Sequence, residues 1–183
     1  FLESVPEGGL KPYARNEKLA RPWIKPGTPD LMHRIGGIEK EVNTGHINYA
    51  PANHQAMTEL RRDKILGISK GLRQDVAIGE ERGKLAVVGW GSTFGPIHQA
   101  VRRVRRKGLD VAHIHIRHIW PLPENLGDLL EGYEQILVPE MNTGQLKTLL
   151  RDQYLVNAQP LNKISGQPFR IAEIEAAIEG MLA

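Results

Sequence analysis

The segment Gly89-Trp90-Gly91-Ser92-Thr93-Phe94-Gly95 is the strongest local candidate for chemistry in this 183-residue chain. It follows an apolar run and precedes a helical pattern, so its turn presents backbone N–H groups at a helix amino terminus, where a phosphate or carboxylate is stabilised. Gly91, Ser92, Thr93 and Gly95 are therefore candidate contacts to a cofactor or a neighbouring subunit. The spacing is not the dinucleotide fingerprint, whose third glycine falls one position earlier and whose second strand ends in an acidic residue. Here the second strand ends in His115, Ile116 and Arg117. The bland alternative is that the glycines serve only a tight turn and close strand–helix packing. A serine-nucleophile reading of Ser92 is weaker, because the full Gly-x-Ser-x-Gly elbow is missing.

A second loop, Pro139 to Leu146 (PEMNTGQL), lies at the carboxy end of a later strand. Open parallel sheets bind ligands and partners at that edge, and both loops open on it. Glu140, Asn142 and Gln145 are candidates to hydrogen-bond a ligand or a subunit; the alternative has Asn142 or Thr143 capping the helix and Glu140 solvated. His113 and His115 share one strand face, as in some zinc sites, with His118 just beyond and His33, His46 and His54 upstream near Glu39 and Glu41. No third ligand has a recognisable spacing, so no metal site is assigned, and no residue is assigned a catalytic role.

The chain has no cysteine, which removes disulfides, cysteine-ligated zinc or iron–sulfur clusters and a cysteine nucleophile from its own repertoire. Such chemistry has to come from another chain. The net charge of +3 is concentrated in Arg102, Arg103, Arg105, Arg106 and Lys107. These fall in the last turns of a predicted helix, where the dipole favours cations, and no aromatic residues interleave with them, so nucleic acid is not expected as a partner. No apolar run approaches the length of a membrane span. The absence of cysteine fits a cytoplasmic protein, and the start at Phe1 reads as a chain that begins within a longer one.

These residues need a scaffold, and the chain supplies two unlike regions. From Phe1 to about Pro51, six prolines and many glycines leave extended, loop-rich chain without apolar periodicity. A helix then fits Ala52 to about Leu72, with Asn53 as N-cap, a stripe of Met57, Leu60, Lys64, Ile65 and Ile68, and Gly71 to end it. After Arg82 short strands and helices alternate. Strands are expected at Leu85–Gly89, Leu109–Ile116 and Gln135–Pro139, with a weak one near Leu161–Ile164. Helices fit Gly95–Lys107, Glu124–Leu130, Gly144–Tyr154 and Ile171–Leu182. The pattern implies an α/β fold, a three-layer, mostly parallel sheet covered on both faces, preceded by a loop-rich connector and one helix.

The order of these motifs resembles the alpha subunits of 2-oxoacid:ferredoxin oxidoreductases. The resemblance is carried by Leu85–Ala100 (LAVVGWGSTFGPIHQA), Ile114–Pro123 (IHIRHIWPLP), Ile136–Leu146 (ILVPEMNTGQL) and Asn162–Phe169 (NKISGQPF). Upstream it is carried by Thr28–Ile65, with Arg34-Ile35-Gly36-Gly37-Ile38-Glu39, Gly45-His46 and Arg61-Arg62-Asp63-Lys64-Ile65. It implies that 83–183 is a domain similar to the transketolase carboxy-terminal domain, and that 1–82 is a connector with the end of a preceding pyrimidine-binding domain. It further implies an enzyme that oxidatively decarboxylates a 2-oxoacid, 2-oxoglutarate by preference, on thiamine diphosphate with magnesium, an iron–sulfur cluster and coenzyme A. The implied partners are a beta subunit, a second alpha–beta unit and ferredoxin. This segment would serve structure and assembly, with no cofactor held by it alone. The alternative is a stand-alone anion- or nucleotide-binding module.

Overall fold

The computed structural model describes residues 1–183, which divide into two compact units, Phe1–Gly71 and Leu72–Ala183.

The first unit is mostly irregular. It is pinned by isolated bridges from Leu2 to Ile24 and from Lys40 to Ile47, and by a small core in which Leu31 and Met57 are almost fully covered. Arg15 stitches the loops together, its Nη1 donating to the carbonyls of Tyr13 (3.0 Å) and Val42 (3.1 Å). Helix α1 spans Pro51–Leu66 and continues as a 3₁₀ turn through Gly71. Its start corrects the sequence expectation. Ala50 is the N-cap and Pro51 occupies the first turn, where its missing N–H costs nothing. The Asn53 side chain is buried and donates to the carbonyl of Lys40 at 2.8 Å. The expected apolar stripe is also shorter, because Met57 is buried whereas Ile65 and Ile68 are exposed.

The second unit is a five-stranded sheet in the order β1-β3-β2-β4-β5, formed by β1 (Ala77–Ile78), β2 (Gly83–Trp90), β3 (Val111–Ile116), β4 (Tyr133–Glu140) and β5 (Ala158–Asn162). All neighbours pair in parallel except the edge strand β1, which runs antiparallel to β3. Two residues carry no periodicity to read, so β1 was not expected from the sequence. The helices are α2 (Phe94–Arg106), α3 (Leu126–Glu131), α4 (Gln145–Tyr154) and α5 (Ile171–Leu182).

Alternation along β2 sets the layers. Leu85 and Val87 point to one face with Ile97, Val101 and Val104 of α2 and Ile174 and Ile178 of α5. Ala86 and Val88 point to the other face with Leu126 and Leu130 of α3 and Leu146 and Leu150 of α4. Each fully buried Leu or Ile contributes about 1.5–3 kcal/mol relative to exposure, so these two apolar layers are the main source of cohesion. The expected three-layer sheet is the observed one. Three of the five cations at the basic end of α2 have partners in the chain: at the surface Arg103 meets Glu175 at 3.4 Å and Lys107 meets Glu179 at 2.6 Å, and Arg105 donates to the Val111 carbonyl at 3.1 Å.

Candidate functional site

The connections that follow the neighbouring strands β2 and β4 leave in opposite directions. From β2 the chain enters α2 on one face and goes to β3; from β4 it enters α4 on the other face and goes to β5. Where two such connections part, a crevice opens at the carboxy ends of the strands. It is lined by Trp90, Gly91, Ser92 and Thr93 from the first loop and Met141 and Asn142 from the second, and has a volume of about 220 Å³. A wider cleft of about 510 Å³ adjoins it at Trp90 and Gly91 and extends past Phe94, His115 and Arg117. Phe94 of the wider cleft and Met141 of the smaller one are exposed, at 41% and 40%.

The two loops differ in how they treat their helix. In the second, Glu140 is fully buried, contrary to the solvated alternative. Its Oε1 accepts from Leu146 N–H (2.8 Å), Asn142 Nδ2 (3.1 Å) and Trp90 Nε1 (3.4 Å), and its Oε2 from Lys147 N–H (3.0 Å). Asn142 Oδ1 accepts from the N–H groups of Gly144 (2.7 Å) and Gln145 (3.0 Å). The amides that open α4 are thus consumed by two side chains of its own loop, and no external anion is needed there. Gly144 makes the turn possible with a φ of 95°, a region other residues rarely adopt.

At α2 the amino terminus carries no acidic residue in its first turn and no side-chain cap. Thr93 is buried, its hydroxyl accepting from Trp90 N–H at 3.1 Å and donating to the Trp90 carbonyl at 2.8 Å. Gly89 has to be glycine, because Ile97 and Thr93 occupy the space of a side chain there. The structure therefore brings Gly91, Ser92, Thr93 and Asn142 together at one crevice. Glu140 stands behind it as a brace, while Gly95 and Gln145 do not line it. Sequence reasoning chose neither Trp90 nor Arg117. The signal for Trp90 was its place between two motif glycines, and that for Arg117 its place just past the second parallel strand.

The histidines form a cluster beside this region. His113 is fully buried, and neither ring nitrogen has a hydrogen-bond partner. Its ring lies 5.7 Å from that of His115 and 6.2 Å from that of His98, and Phe94 covers all three. Burial, reinforced by His115 and His98, pushes the His113 pKa down to about 3. Burial followed by Arg117 lowers that of His115. No three His, Asp or Glu side chains converge on a point that would hold a metal ion. No helix is long and apolar enough to cross a membrane.

A family model described as pyruvate:ferredoxin oxidoreductase core domain II matches residues 83–174. The chain is 46% identical over 180 residues to the 2-oxoglutarate oxidoreductase subunit KorA of Mycobacterium tuberculosis, covering 95% of this chain and 27% of that protein. It is 28% identical over 190 residues to the alpha subunit of 2-oxoacid:ferredoxin oxidoreductase 1 of Aeropyrum pernix, covering 99% of this chain and 29% of that one. The solved 2-oxoglutarate:ferredoxin oxidoreductase from Magnetococcus marinus, with 2-oxoglutarate, coenzyme A and succinyl-CoA bound, matches with a TM-score of 0.88 at 28% identity, over 95% of this chain and 31% of that one. The chain thus spans roughly a quarter to a third of the length of these relatives.

Proposed function

Because the chain belongs to the pyruvate:ferredoxin oxidoreductase core domain II family, we propose that it is part of the alpha subunit of a 2-oxoacid:ferredoxin oxidoreductase, with 2-oxoglutarate as the substrate. The observation that carries this reading is the 0.88 TM-score match, over 95% of the chain, to a 2-oxoglutarate:ferredoxin oxidoreductase. In this reading 83–183 is the domain that packs against neighbours, and 1–82 connects it to a pyrimidine-binding domain. The whole enzyme decarboxylates the 2-oxoacid to an acyl-CoA and passes electrons to ferredoxin.

The donor set of this chain does not fit an iron–sulfur cluster, since it has no cysteine, and no three His, Asp or Glu side chains are grouped to hold a metal ion. The Glu140 carboxylate is already engaged with four donors of its own chain. As the family resemblance implies, we assign thiamine diphosphate, magnesium and the cluster largely to the beta subunit, with a second alpha–beta unit completing the assembly in the cytoplasm. The crevice at Gly91, Ser92, Thr93 and Asn142, with Gly95, Glu140 and Gln145 around it, serves as a subunit contact or as the edge of the coenzyme A site. The exposed Met141 at this crevice and Phe94 in the adjoining cleft suit burial against a partner.

The test is to purify the full protein with its partner chains and assay 2-oxoglutarate oxidation with coenzyme A and a ferredoxin-like acceptor. Activity that requires both chains is expected. A protein that purifies alone, with no such activity when the candidate beta chain is added, overturns the reading.

A further inference from the structure

We propose that residues 1–71 carry a binding site for a phosphoryl-bearing anion of at least two negative charges, in a cleft of about 440 Å³ between the loops and α1. Arg15, Arg21, Lys40, Arg61 and Lys64 line this cleft against one carboxylate, Glu39. That carboxylate is already shared: its Oε1 meets Arg61 Nη1 at 3.2 Å and its Oε2 meets His54 Nδ1 at 2.7 Å.

None of the remaining cations meets a carboxylate, and Arg15, Arg21 and Lys40 are held in place by other contacts. Arg15 Nη1 donates to two backbone carbonyls, and Lys40, only 4% exposed, gives two of its three ammonium hydrogens to the carbonyls of Gly36 (2.6 Å) and Ile38 (2.8 Å). Arg21 stands over the Tyr13 ring at 5.0 Å, and its Nη1 is buried with no hydrogen-bond partner. Lys64, on the last turn of α1, meets no carboxylate. Burial and then the charge of Arg61 lower the pKa of Arg15; Tyr13 opposes this and Arg21 adds to it.

A buried guanidinium N–H without an acceptor is rare and costs free energy, so its presence beside four other cations calls for a ligand that supplies acceptors. Planar guanidinium forks match phosphate oxygens with paired hydrogen bonds, and ammonium groups add charge. The cations meet in a concavity of small-ligand size rather than spreading over a flat face, which favours a small ligand over a protein surface. Ile35, Ile38 and Leu60 give the cleft apolar walls that strengthen such contacts.

The experiment is calorimetric titration of the full protein with pyrophosphate, with succinate as a dianion lacking phosphoryl groups. Saturable pyrophosphate binding is expected, weakening with salt, and succinate should bind at least tenfold more weakly. Arg21→Gln and Lys64→Gln should each weaken pyrophosphate binding about tenfold, the scale of a lost hydrogen bond to a charged group. Glu39→Gln should tighten it by removing the cleft's one anion. Lys70→Gln, an exposed cation outside the cleft, controls for net charge and should change nothing. Lys64 has no structural bond to lose, so its variant remains informative even where Arg21→Gln folds poorly. Absence of saturable pyrophosphate binding, equal binding of succinate, or a Lys64→Gln protein that matches Lys70→Gln overturns the proposal.

Discussion

The indole Nε1 of Trp90 donates to Oε1 of Glu140 at 3.4 Å, joining two loops whose residues are 50 positions apart in sequence. This bond lies behind the crevice where the sheet's connections diverge, between the carboxy ends of β2 and β4. It couples the glycine-rich turn to the start of α4, because the same carboxylate oxygen also accepts from the Leu146 amide.

Glu140→Ala should therefore cost about 3–5 kcal/mol of unfolding free energy, since it strands two helix amides, the Asn142 amide and the indole in the interior. Denaturant unfolding measures it. A loss below about 1 kcal/mol would mean that water replaces the carboxylate and that the brace is not rigid.

Trp90→Phe keeps the ring and deletes only the donor, so a smaller loss of about 1 kcal/mol is expected. The loss should shrink in a Glu140→Ala background, and a double-mutant cycle reads the coupling directly. Strict additivity of the two changes would deny the bond any energetic role.

Stability should fall with acid through His113. Its folded pKa of about 3 lies below the ordinary histidine value of 6.5, so the folded state prefers the neutral ring and the unfolded state takes up the proton first. The full contribution is present above pH 6.5 and is lost as the pH falls toward 3, by about 1.4 kcal/mol per pH unit for one proton. His115 adds in the same direction. Replacing His113 with Leu should flatten the stability–pH curve over this window, and an unchanged slope in the variant would show that the proton is taken up elsewhere.

Ile174→Ala should cost about 2–5 kcal/mol, because this fully buried side chain fills the layer between α5 and α2 and its loss leaves a cavity. Added salt should change the unfolding midpoint little, since the exposed Arg103–Glu175 pair beside it is weakly stabilising and screened. A midpoint that collapses in salt would shift the weight from packing to ion pairs.

The central strands and the helices between them were legible because burial on both faces leaves uninterrupted apolar runs, as in Leu85–Val88 and Ile136–Val138. The ends of elements were less so. Asn53 resembled an N-cap, but its side chain is spent on the Lys40 carbonyl, a contact set by tertiary folding. Glu140 stood open in the sequence between a contact to a ligand or subunit and a solvated acid; what buries it is a set of four donors of its own chain, two of them backbone groups that no composition rule displays. The crevice was legible as two loops on one sheet edge, and the hydrogen bond that joins them was not.

The closed ends of the α4 amides also set where this crevice can tolerate sequence change. Asn142 and Glu140 cannot vary without releasing a helix start, so these two positions of the β4–α4 loop are fixed. Ser92 is exposed, and a side chain added at Gly95 would meet open space. Among the residues that line the crevice, the side chains free to change without releasing a helix start are therefore those of Ser92 and Met141, one on each side of the opening.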